Sequence, residues 1–148
     1  MRVSIAVVSI ALGFHSVTGS LAQVLKKADP ARAHILAPND GVITAALAEQ
    51  QFAMTSASDT DSEPAHLARL ALRQDATAAD ALNVLGLQAQ LRNETERTRE
   101  FFRYSLLLSR RELRPQFWAI EEAVNRGDIR SALRAYDIAL RTSSDAAS

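Results

Sequence analysis

The sequence predicts an all-α chain in which antiparallel helical hairpins stack into a short solenoid, preceded by an N-terminal hydrophobic helix. Three observations carry this. First, the stretch from Ala79 to Leu140 states a helix–turn–helix pattern and restates it 34 residues on: Thr98, Phe102, Ser105 and Leu106 return as Ala132, Tyr136, Ala139 and Leu140. Asn93 returns as Gly127 at the same offset. A fixed period of this length is the mark of stacked helical hairpins. Second, 47% of the residues are hydrophobic but only 5% aromatic, so the core must be built from Ala and Leu. Small side chains of that kind favour close-packed helices over a β-sandwich. Third, apolar residues recur at helical spacing between clusters of turn and capping residues.

At 148 residues the chain suits one domain, or a small domain with a targeting segment. Lys plus Arg and Asp plus Glu number 17 each, giving a net charge of zero. Generic attraction to nucleic acid or to anionic lipid is therefore not expected. The absence of cysteine excludes disulfides, thiolate metal sites and a cysteine nucleophile.

Residues 1–22 read as a signal peptide or a membrane anchor. Arg2 supplies a positive start and Val3 to Phe14 an apolar run of leader length, with Ser20-Leu21-Ala22 offering a cleavage site before Gln23. The anchored alternative rests on the lack of Asp, Glu, Lys or Arg from Val3 to Leu25, closed by Lys26-Lys27. Residues 23–40 form a leading partial repeat: a short amphipathic helix over Val24–His34, interrupted at Asp29-Pro30, and then Pro38 as a stop, with Asn39 or Asp40 capping the next helix.

The repeats proper occupy 41–141. Gly41–Met54 is a helix with Val42, Ile43, Ala46, Leu47 and Phe52 on its apolar stripe. Residues 55–63, rich in Ser, Thr and Asp, form a loop insertion with nothing to bury, the expected flexible point of the domain. Pro64–Gln74 is the next helix, and Thr77 with Asp80 makes a capping-box-like start for Ala78–Leu91. Asn93, the non-glycine residue most tolerant of a left-handed backbone, turns the chain into Thr95–Ser109. This helix is expected to bury Phe101, Phe102, Leu106 and Leu108. Glu112–Arg126 bears Phe117, Trp118, Ile120, Ala123 and Val124, Gly127-Asp128 repeats the tight turn, and Ile129–Arg141 is expected to bury Ala132, Leu133, Tyr136 and Leu140. Residues 142–148 are a small polar tail, expected to fray.

Carried backwards, the 34-residue ruler sets Ala68, Ala71 and Leu72 under Phe102, Ser105 and Leu106. With four residues allowed for the loop insertion, it sets Thr44, Leu47 and Ala48 under Leu82, Leu85 and Gly86. The sequence resembles the tetratricopeptide repeat (TPR) family in Leu82, Leu85-Gly86, Thr98, Phe102 and Ser105 of one copy, and in Gly127-Asp128, Ala132, Tyr136 and Ala139-Leu140 of the next. The resemblance implies that Gly86 and Ala132 lie where helices cross closely, and that Phe102 and Tyr136 fill gaps. Ile120, standing where Gly86 predicts a small residue, departs from the pattern, as do Trp118, Thr98 and Ser105. The layout is also loosely similar to that of small TPR proteins of bacterial cell envelopes, some of them tied to polysaccharide assembly and export.

The resemblance further implies a concave face, lined by the first helix of each hairpin, that holds a partner segment. Its exposed positions would be Asp80, Asn83, Leu87 and Gln90 in one copy and Arg114, Phe117, Glu121 and Asn125 in the next. The alternative for these eight is an ordinary solvated helix face.

Nothing in the sequence points to catalysis or to a cofactor. Glu121 and Glu122 are adjacent and diverge around a helix, and His15, His34 and His66 are scattered without metal-ligand spacing. No serine sits in a Gly-x-Ser-x-Gly setting, and there is no glycine loop for phosphate. Asn93-Glu94-Thr95 reads as a turn and helix cap rather than a glycosylation site. Arg110-Arg111 with Arg114 reads as cations at a helix end.

The expectation is therefore a non-enzymatic adaptor at the bacterial cell envelope, periplasmic or anchored in the inner membrane by residues 3–25, binding a protein or peptide partner. The alternative is a self-associating helical module, dimeric through an uncapped C-terminal helix.

Overall fold

In the computed structural model the chain is described for residues 22–109 and 112–145, with side chains given to residue 141. The leader-or-anchor stretch up to residue 21, the Arg110-Arg111 pair and the last three residues lie outside the described residues. Eight helices are present among those described: α1 (22–28), α2 (Pro30–Leu36), α3 (Gly41–Thr55), α4 (Glu63–Gln74), α5 (Ala79–Leu91), α6 (Thr95–Leu108), α7 (Leu113–Asn125) and α8 (Ile129–Asp145). Sequential helices pair: α3 with α4, α5 with α6, and α7 with α8. These pairs are consistent with stacked hairpins, α5 resting on both α3 and α4.

The local chemistry of each start and stop is visible. Asp29 ends α1 and caps α2, its carboxylate accepting from Arg32 N at 3.1 Å while Pro30 occupies the first turn. Asp40 caps α3 through Val42 N and Ile43 N, at 2.9 and 3.1 Å. The expected capping box at Thr77 and Asp80 does not form. Instead Asp75 accepts from Thr77 N and Thr77 Oγ1 at 2.8 and 2.6 Å, a local turn that uses up the threonine before α5 starts.

The turns at Asn93 and Gly127 are the same turn twice. Both residues have positive φ, 60° and 74°. In each the last helical turn closes on itself, Glu94 N to Ala89 O and Asp128 N to Ala123 O, both 2.9 Å. That is the left-handed closure in which glycine carries no steric penalty and asparagine little.

Burial varies with position in the stack. Helix α5 buries nine residues around most of its circumference, because α3, α4 and α6 all lie against it. Its near-uniform apolarity is the signature of such a central helix. The main core joins Leu47 and Phe52 of α3, Leu67 of α4 and Val84 and Leu85 of α5 through a floor of alanines, including Ala48, Ala68, Ala71 and Ala81. Small floor residues let backbones approach closely, and the few large side chains fill the remaining gaps.

Two expectations of burial fail. In α6 Phe102 is buried but Leu108 is exposed, and Phe101 and Leu106 are half-buried. Among the described side chains of α8 only Ala132 and Ala139 are buried, while Leu133, Tyr136 and Leu140 stand at the surface. The reason lies beside that face: Ala132 and Ala139 hold the places of Thr98 and Ser105, which are buried in α6, whereas Tyr136 holds the place of Phe102, whose ring is covered by Trp118 of the following hairpin. Helix α8 also continues to Asp145, into the stretch expected to fray.

The loop between α3 and α4 is hydrogen-bonded to side chains outside it. The side chain of Gln88, 1% exposed, donates to Ala57 O and Ser62 Oγ at 3.0 and 2.9 Å. Arg92 donates to Ser58 O, and Arg69 to Thr60 O. Long donors from α4 and α5 thus satisfy carbonyls that the loop itself leaves unpaired.

Candidate partner-binding cleft

The first helices of the three hairpins, α3, α5 and α7, share a face, and a cleft of about 470 Å3 opens on it. Ala46, Glu49, Gln50 and Ala53 of α3 form its floor, Lys26, Lys27 and Pro30 close one side, and Asp80 and Arg114 stand on the other. Alanine spacing along α3 keeps the floor shallow, while charged residues take the rim.

Its electrostatics are unbalanced. Glu49 pairs with Arg114 at 3.2 Å, joining α3 to α7. Burial pushes the Glu49 carboxyl above its usual range and Asp80 adds to the rise, with Arg114 opposing both. Glu112, just before α7, is also raised, by burial first and Asp80 second, against a hydrogen bond from Asn83. Glu49, Asp80 and Glu112 thus lie near enough to repel one another, Arg114 pairs with Glu49, and the Lys26–Lys27 pair lies across the cleft.

The eight residues expected to share one concave surface are divided. Asp80 and Arg114 line the cleft. Gln90, Glu121 and Asn125 line a second, separate hollow of about 280 Å3 beside Trp118, Thr98 and Asn93. Leu87 is half-buried against the main core, and Phe117 is 58% exposed and lines neither cavity.

Asn83, expected at the surface, is 2% exposed. Its amide donates to Glu112 Oε2 at 2.7 Å and its carbonyl accepts from Ser105 Oγ at 2.7 Å. The side chain therefore ties α5, α6 and the start of α7 together. Ser105, a departure from the small apolar residue expected there, supplies the hydroxyl that this amide needs.

Helix α7 is held on its other side by the Phe102 and Trp118 rings, whose centroids are 5.5 Å apart at 58°, and by Arg99 Nε donating to Glu122 at 2.9 Å. The seam between α6 and α7 is nonetheless far narrower than those between hairpins earlier in the chain.

The residues missed from sequence are Lys26, Lys27, Glu49 and Gln50. A signal for one existed: with the four-residue insertion allowed, Glu49 falls under Leu87, itself the counterpart of Glu121. The lysines carried no repeat signal at all.

Among the described residues no helix is long and apolar enough to cross a membrane, and no three His, Cys, Asp or Glu side chains are grouped to hold a metal ion. No family model matches the chain, and no curated protein matches it either.

Proposed function

We propose that the chain is a non-enzymatic adaptor of the tetratricopeptide type that holds an extended segment of a protein partner in the cleft over α3, α5 and α7. The cleft is the observation that carries this. A groove of this volume on the shared face of successive first helices suits several residues of peptide. Its crowded Glu49 and Asp80 favour a basic side chain in the bound segment, and Lys26 and Lys27 favour an acidic one toward the other side. The duplicated turns support the family reading, as does Gly86, which lies so close to the Phe102 ring that a Cβ there would meet it at 2.5 Å. The outward large residues of α8 depart from it. Delivery to the bacterial envelope, by a cleaved leader or by an anchor, rests on the composition of residues 1–25 alone.

Photo-crosslinking in the native cell tests the cleft. A benzophenone side chain at Gln50 is expected to trap a discrete partner, and Arg114→Glu to abolish the adduct. The same amino acid at Tyr104, exposed on α6, should not trap it. Identical adducts from both positions, or none from Gln50, overturn the assignment. Fractionation and N-terminal sequencing of the same sample separate a cleaved leader from an anchor.

A further inference from the structure

Ile129, Leu133, Tyr136 and Leu140 of α8 are 58%, 64%, 51% and 52% exposed. Their spacing of four, three and four residues makes one stripe, the seam of a coiled coil rather than scattered surface apolarity. The repeat shows what such a stripe does. Tyr136 and Leu140 hold the places of Phe102 and Leu106, which in α6 face the next hairpin, the Phe102 ring meeting Trp118. Leu133 stands where α6 carries Arg99, so the later stripe is the more apolar of the two.

We propose that this stripe is a dimer interface, in which two copies of the chain pack their α8 helices antiparallel about a twofold axis between Arg134 and Ala135. In that register Ile129 lies against Leu140 of the second copy, and Leu133 against its Tyr136. The stripe is its own complement. One edge is formed by Ala132 and Ala139, already buried on α7. The other carries Arg130 and Asp137, and antiparallel pairing brings each Arg130 to the opposite Asp137. A parallel pairing gives those charges only the alanine edge. Asp137 also pairs with Arg141 on its own helix at 2.9 Å, an exposed contact that a second guanidinium can share. A different protein has no reason to match both the seam and the charge order, whereas a second copy matches them by symmetry. None of these residues lines the cleft, so the dimer leaves it open.

The chain has no cysteine, so a single introduced thiol reports alone. Across the axis the two copies of residue 133 are offset by about 4.5 Å along the helix. Mild oxidation of full-length Leu133→Cys is expected to give covalent dimer rapidly, and Tyr104→Cys is not. In sedimentation equilibrium Arg130→Asp and Asp137→Arg should each weaken the dimer about tenfold or more, and the two together should restore it. A monomer at about 100 µM overturns the proposal, as do equal crosslinking at positions 133 and 104 and a double reversal that stays as weak as the singles.

Discussion

Gly86 lies directly beneath the ring of Phe102: a Cβ on Gly86 would stand 2.5 Å from Cε1 and 2.7 Å from Cδ1 of that ring. The crossing of α5 and α6 therefore depends on a missing methyl, and the ring cannot easily retreat because Trp118 stands behind it. Gly86→Ala sets a helix-propensity gain of about 1 kcal/mol against overpacking of about 1–3 kcal/mol. The clash is with a buried ring, so the expected outcome is a lower melting temperature. Adding Phe102→Leu should relieve part of that loss, and a double-mutant cycle measures the coupling.

Asn83→Ala strands Ser105 Oγ and takes one donor from Glu112, leaving it the Ser109 hydroxyl. Leaving such partners unsatisfied costs about 1–3 kcal/mol. The loss should fall on the attachment of α7, read as faster amide exchange in α7 and α8 than in α3 to α5. Exchange raised equally throughout would show that Asn83 does not join these helices.

The carboxylates make two opposed contributions to stability as pH changes. Glu49 and Glu112 are raised in the fold, chiefly by burial. Their contribution is fully present below the unfolded glutamate value and is lost as pH rises through the higher folded value. Asp75, Glu94 and Asp128 are lowered, first by hydrogen bonds from Thr77, Arg92 and Ser131 respectively. Their contribution is present above the unfolded values and is lost as pH falls through the lower folded ones. Stability should therefore be greater near about pH 5 than near about pH 8. Glu112→Gln, which keeps an acceptor for Asn83, should narrow that difference. A wider difference in chemical denaturation would refute this account.

Gln88→Ala removes both bonds that hold residues 57 and 62 to α5. The loop should then open to a protease that cuts at aspartate, with cleavage at Asp59 or Asp61 rising several-fold. Far-ultraviolet helicity should change little. Unchanged cleavage would place the restraint on Arg69 and Arg92 instead.

The 34-residue ruler makes the turns legible, because Asn93 and Gly127 solve one backbone problem with the two residues best able to do so. It makes the Gly86–Phe102 crossing legible for the same kind of reason, since size is visible in a sequence. Direction is not. Asn83 reads like any polar helix residue until Ser105 and Glu112 are brought beside it. The exposure of Tyr136 and Leu140 has no local signature either, because what covers Phe102 in α6 is Trp118 of another hairpin. The loop at 55–63 reads as loose because its composition is polar, yet its restraints come from Gln88 and Arg92, far along the chain. One side of the cleft is legible through Asp80 and Arg114. The lysine wall is not, because Lys26 and Lys27 have an equally good meaning as the end of an apolar segment.

The narrow seam before α7 bears on how the protein comes apart. A stack with wide joints melts as one body, whereas a stack with one thin joint has a place to divide. Among the described residues the last hairpin is joined by the Phe102–Trp118 ring pair, the Asn83 amide, a few ion pairs and the buried start of α7, so heat or force should release it while the first two hairpins stay folded. A single melting temperature would then blend two events, and probes on either side of residue 109 should report different midpoints.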